Sequence, residues 1–306
     1  SALSGLLPNS TYYYRCFVTN SAGGQWAANL ISFTTPATAP GMNNDGGASS
    51  VGATNATLNG NVTSTGGAPT QVWLFWEDTA SDPGTNQDAW TYSAYMGYRP
   101  VVAVATNVIT LTSNTQYYYT FMASNSAGEA WPTAASNFTT LATPALTTPT
   151  VNAISTNGAT LGATVISNGN TALTSRGTYW DVTAAPTANG MAEGATNVSA
   201  FSHARSGMTP GTLVYYRGYA VNSVGTGYSP DGSFYTEPLE ALSVTFSSVT
   251  TGSFTIGWTT NARYAAGCVV VVKAGSDVSA DPSDGTTYTA NTTYGSGQAL
   301  GGGYVV

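Results

Sequence analysis

The chain has 306 residues of which only 7% are charged, with seven Lys plus Arg against fourteen Asp plus Glu and a net charge of −7. Seven scattered cations cannot assemble the basic stripe that nucleic acid or an anionic bilayer surface requires, and no run of 18 apolar residues is present to cross a membrane. A hydrophobic fraction of 42% supports packed cores, so the low charge implies solubility through hydroxyls and amides rather than disorder, and the length accommodates three sandwich domains of about 100 residues.

The first predicted element is a half-buried strand in which Tyr12, Tyr14, Cys16 and Val18 alternate on the inward side. Asn20 to Gly23 then reads as a turn, because Asn bonds locally through its side chain and Gly tolerates positive φ; a return strand ends at Phe33. Pro36 and Pro40 mark a linker. In the next stretch Ala56, Leu58, Gly60 and Val62 alternate, a third strand follows at 72–77, and Tyr117, Tyr119, Phe121 and Ala123 repeat the first pattern up to a turn at Asn125 to Gly128 and a return at Phe138. A second linker spans 139–149. Ala159, Leu161, Ala163 and Val165, a strand at 177–181, then Tyr216, Ala220, the turn Asn222 to Gly225 and Phe234 make a third copy. After Pro238 only the early strands recur, as Phe254, Ile256 and Trp258 and as a strand over 267–273. No helical period competes with this reading, so the fold class is all-β, as tandem antiparallel β-sandwiches.

Three segments share a motif: Leu6, Pro8, Tyr12, Tyr14 and Asn20 to Gly23; Leu111, Tyr117, Tyr119 and Asn125 to Gly128; Met208, Pro210, Tyr216 and Asn222 to Gly225. The motif resembles the sixth strand and following turn of fibronectin type III and related immunoglobulin-like repeats, and residues 268–288 resemble a fibronectin-like repeat of bacterial secreted proteins. The resemblance implies a rod-like array of sandwiches in which Tyr12 and Tyr117 make a corner hydrogen bond, with Val214 in the matching place of the third copy. It also implies that the third and sixth strands are sheet neighbours. The domains expected are residues 1–36, carrying the last strands of a sandwich; two whole repeats at 37–141 and 142–237; and residues 238–306, carrying the first strands of another.

Asn20, Asn125 and Asn222 are spaced by 105 and 97 residues, and running one copy into the next would make the following spacing 104. Two arrangements fit. The chain is a window on a longer array, or separate subunits join head to tail, residues 1–36 of one completing residues 238–306 of its neighbour. In either case the partner is another copy of the repeat, and Cys268 of one copy is expected to approach Cys16 of the next, as a disulfide or as two buried thiols.

Chemistry is sparse. A nucleophilic triad needs a base, and the single histidine, His203, stands in a serine-rich strand with no recognisable elbow around a serine, so no catalysis is expected. Acids gather after each third strand as Glu77, Asp78, Asp82 and Asp88, as Asp181, and as Asp277, Asp281 and Asp284. Their spacing matches no calcium loop, which leaves Ca²⁺ a minor candidate and no other cofactor. Trp26, Trp131 and Tyr228 recur six residues after the turn asparagine. They are the ligand-site candidates, offering ring faces to a glycan or surface protein, against the alternative that each packs on its own sandwich. The expected role is an extracellular structural repeat unit of a surface rod or filament, adhesive in character. The alternative is an accessory or carbohydrate-binding array of a large secreted enzyme.

Overall fold

The computed structural model describes residues 2–259, 267–283 and 285–306. The chain opens with β1 (Thr11–Tyr14), β2 (Phe17–Asn20), β3 (Gly23–Trp26) and β4 (Ile31–Thr34), which among the described residues pair only with one another, β1 with β4 and β2 with β3.

The repeat at 37–141 is formed by β5 (Gly41–Asn43), β6 (Ala48–Ser49), β7 (Asn55–Ser64), β8 (Gln71–Glu77), β9 (Tyr92–Tyr98), β10 (Val102–Ile109), β11 (Gln116–Asn125), β12 (Gly128–Ala130) and β13 (Ser136–Thr139). One sheet runs β10-β7-β5, with β6 also on β7; the facing sheet places β12 and β13 on β11, then β8 and β9. The period-two pattern sets the core, since Leu58, Val62, Val72, Leu74, Tyr119 and Phe121 are all buried between the sheets. The repeat at 142–237 has the same topology. Its strands are β14 (Ala145–Leu146), β15 (Thr150–Asn152), β16 (Gly158–Ser167), β17 (Leu173–Asp181), β18 (Met191–Ala192), β19 (Ala200–Ser206), β20 (Leu213–Asn222), β21 (Thr226–Tyr228) and β22 (Gly232–Tyr235). Both repeats are antiparallel β-sandwiches of the fibronectin type III and immunoglobulin-like class.

The last stretch holds β23 (Leu242–Ser247) paired with β24 (Thr255–Thr259), and a small sheet of β25 (Val271–Val272), β27 (Gly303–Val305) and β26 (Ala299–Leu300). The strand expected over 267–273 is realised only at Val271 and Val272, because its expected neighbour, a sixth strand, is not paired with it. The connection at 260–266 and Asp284 lie outside the described residues.

Equivalent turns fix the correspondence between copies. Gly52, Ser155 and Thr250 each donate a backbone bond three residues ahead, to Asn55, Gly158 and Ser253. Gly60, Ala163 and Trp258 therefore occupy one position. At the corner before the sixth strand a threonine staples the chain in all three copies. Thr35 Oγ1 accepts from Ser10 N and donates to Leu7 O, and Thr140 and Thr236 do the same with Thr115 and Thr112 and with Thr212 and Thr209. Asn9, Asn114 and Gly211 at these corners all have φ between 47° and 61°, the left-handed region that Asn and Gly enter at least cost.

Candidate interaction site

The β1–β4 hairpin already has the geometry of its counterpart in a finished sandwich. Tyr12 pairs with Phe33 and Thr11 with Thr34, as Tyr117 pairs with Phe138 and Gln116 with Thr139. The rings of Tyr12 and Phe33 lie 5.8 Å apart at 23°, those of Tyr117 and Phe138 5.7 Å apart at 19°. The Tyr12 hydroxyl accepts from Leu7 N at 2.7 Å, and the Tyr117 hydroxyl from Thr112 N at 3.0 Å. Val214, at this position in the third copy, is fully buried and makes no such bond.

What differs is cover. Tyr119, Phe121 and Ala123 are fully buried, while at the matching places Tyr14, Cys16 and Val18 are exposed, Val18 at 67%. Cys16 is exposed in this chain: the strand is interrupted at Arg15 and Cys16, and among the described residues no second sheet covers it. An unsupported strand face has nothing to hold its alternation, since burial is what distinguishes one side from the other. Cys268 is likewise an exposed free thiol, outside any strand.

The other open face lies in the last stretch. A cleft of about 410 Å³ runs between β24 and β25, lined by Phe254, Ile256, Trp258, Val270, Val272 and Val306 among others. All but Val306, which follows β27, stand at the inward positions of the second and third strands. In the repeat at 37–141 the inward residues of β7 and β8, Leu58, Val62, Val72 and Leu74, are buried in one cluster with Tyr119 and Phe121 of β11, which lie beside β8 and face β7.

The three matched aromatics have different surroundings. Trp131 packs on the outer side of its own sheet against Phe75, 5.3 Å between centroids, in an apolar layer with Trp90 and Met122 that sequence reasoning did not foresee. The loop that carries Trp90 is fastened by acids: Glu77 accepts from Thr91 N, and Asp82 accepts from Gly84 N and Ala135 N. Asp181 accepts from the neighbouring Val182 N. Tyr228 lies 3.9 Å from the Arg217 guanidinium and 6.4 Å from Tyr179, and is 41% exposed. Trp26 is half exposed, tilted on Phe17 at 4.8 Å with Arg15 at 5.6 Å.

The repeat at 142–237 holds a polar wedge between its sheets. Arg205 donates to Thr178 O and Oγ1 and to Asn189 O; Arg176 pairs with Glu193 at 2.9 Å and donates to Asn197 O and Ser199 O. Both guanidinium side chains are buried, and among the described residues only Glu193 supplies a counter-charge. His203 Nε2 shares a bond with Thr178 Oγ1 while its Nδ1 is buried without a partner. Burial first and Arg205 second push the His203 pKa below 6.5. The sequence did carry a signal. Phe201, His203 and Arg205 share one strand phase, as do Arg176 and Thr178, so charge falls in step with the apolar set. Among the described residues no group of three or more His, Cys, Asp or Glu is placed to hold a metal ion.

No family model matches the chain, and no curated protein matches it in sequence. Among solved structures, the crystal structure of the chicken CNTN1 FN1-FN3 domains aligns with 76% of this chain and 79% of that one, at 15% identity and a TM-score of 0.33.

Proposed function

We propose that the chain is a structural repeat unit of an extracellular rod or filament, in which the hairpin at 11–34 of one copy completes the open sandwich half at 238–306 of the next. The observation that carries this reading is the preformed hairpin: its register, ring stacking and tyrosine corner match those of a finished sandwich, yet its inner face is bare. A hairpin so preorganised loses little conformational freedom on docking. Joining of this kind is head to tail, and where the rotation between copies does not close a ring it propagates as a filament. The role requires binding alone and no catalytic step.

The pairing of Cys16 with Cys268 of the next copy belongs to the same proposal, and non-reducing electrophoresis of the assembled material reads it. The secreted setting belongs to the same proposal and is supported by the likeness of residues 268–288 to the fibronectin-like repeats of secreted proteins. The exposed Tyr228 over Arg217 favours a second reading, an accessory glycan-binding array, which a glycan panel on the Tyr228→Ala variant addresses.

Electron microscopy and light scattering of the full chain over a rising concentration series test the main reading. Linear polymers with amide protection spreading over residues 11–34 are expected. A chain that stays monomeric, its hairpin amides exchanging freely, overturns it.

A further inference from the structure

The inner faces of the two finished sandwiches meet closely at one crossing, where the second strand passes the sixth. In the repeat at 37–141 that crossing is Gly60 against Phe121: a Cβ on Gly60 would come within 2.6 Å of the Phe121 ring. In the repeat at 142–237 it is Ala163 against Gly218, and a Cβ on Gly218 would come within 2.3 Å of the Ala163 methyl. Leu146 and the Phe201 ring, 3.3 and 3.6 Å from that Cβ position, fill the space that a large sixth-strand residue would have taken. The second- and sixth-strand positions at the crossing thus carry at most one bulky side chain between them, as close-packed interiors require.

The same position in the remaining copies is occupied by Trp258 on the second strand and Cys16 on the sixth. The first assignment is fixed by the shared turn at Thr250 and Ser253, the second by the tyrosine corner and the turn asparagine on either side. Trp258 is 41% exposed on the cleft wall, and Cys16 is exposed on the hairpin. Among the described residues neither is covered by a facing sheet in its own half, yet together they make a large and small pair like Gly60 and Phe121, with the large residue now on the second strand.

We propose that Trp258 of one copy packs directly over Cys16 of the next, and that this size match selects a second copy of this chain as the occupant of the cleft. The proposal rests on the head-to-tail reading. It assigns Cys16 a role as the small residue that admits an indole ring, a role that survives loss of the thiol.

The test is a set of full-length variants compared by light scattering under reducing conditions. Cys16→Ala keeps the position small and should associate within about threefold of the wild-type strength. Cys16→Phe puts two rings in a space for one, and overpacking of that order should weaken association by about tenfold or more. Trp258→Gly alone should also weaken it, through the lost ring. Combining C16F with W258G recreates the Gly60 and Phe121 arrangement and should recover most of the loss. Cys16→Phe associating as tightly as wild type, or the double variant faring no better than C16F alone, overturns the size match while leaving head-to-tail joining in place. A wild-type chain that never associates overturns that joining itself. Both residues are exposed in the unjoined chain, so thermal unfolding of dilute samples should be the same for every variant. A lowered transition for C16F would show Cys16 inside the chain's own core, and would overturn the proposal too.

Discussion

Asn125 and Asn222 use their whole side-chain amide. Oδ1 of Asn125 accepts from Ala127 N to close the turn, while Nδ2 donates to Thr38 O in the incoming linker and to Thr65 O in the turn after β7. Asn222 repeats this with Val224 N, Ala142 O and Asn168 O. Replacement by Asp preserves the acceptor and shape but removes both donors and sets a carboxylate against two carbonyls. Asn125→Asp and Asn222→Asp should each cost about 1–3 kcal/mol, read as a lowered midpoint in thermal unfolding. Asn20 makes the turn bond to Ala22 N, but its Nδ2 has no partner among the described residues, so Asn20→Asp should leave the dilute chain unchanged. His203 gives a pH signature to the repeat at 142–237. Its pKa is depressed in the folded state, chiefly by burial and then by Arg205, against the opposing pull of Glu193. The folded chain therefore binds fewer protons than the unfolded chain just below pH 6.5. The stability tied to neutral His203 is complete above that value and declines as pH falls through the folded pKa. Glu193, held below its usual 4.5 mainly by its bond from Arg176, loses its contribution only at lower pH. His203→Gln should flatten the decline between about pH 6.5 and 4.5 in calorimetry and leave the more acid limb in place.

Among the elements, the strands of the finished repeats follow from sequence because each is half-buried and its period of two is enforced by a facing sheet. The turns were equally plain, since a locally bonded Asn followed by a Gly at positive φ announces itself. Cover is legible only from which strands accompany the pattern, since residues 1–36 carry the last strands of a sandwich alone. Cys16 and Val18 carry the same alternation as Phe121 and Ala123, and only the presence of a second sheet separates exposed from buried. The outer layer around Trp131 was hidden. Trp73, Phe75 and Trp90 come from a strand and a loop with no shared period, and the loop crosses the sheet to meet them. One consequence is that the matched tryptophans should behave unequally. Trp131→Ala removes a partly buried ring and should destabilise the repeat at 37–141 by about 2–4 kcal/mol, near the lower range for buried aromatics, as measured by denaturant unfolding. Trp26→Ala should leave unfolding of the dilute chain unaltered, because its ring is half exposed on the hairpin.

Across the whole molecule, the linker between the two finished repeats has almost no free length. Leu141 N donates to Gly52 O in the sandwich behind, and the next residue, Ala142, donates to Gly169 O in the sandwich ahead while accepting from Asn222. Adjacent peptide units are thus tied to different domains. Asn170 Nδ2 adds bonds to Thr140 O and to Asn114 Oδ1 across the same joint. An array linked in this way stores no slack. Tension applied along it reaches the hydrogen bonds of a sandwich as soon as the joint is drawn tight, so extension would come not by gradual uncoiling of spacers but in jumps of roughly 300 Å, each releasing the contour length of one repeat.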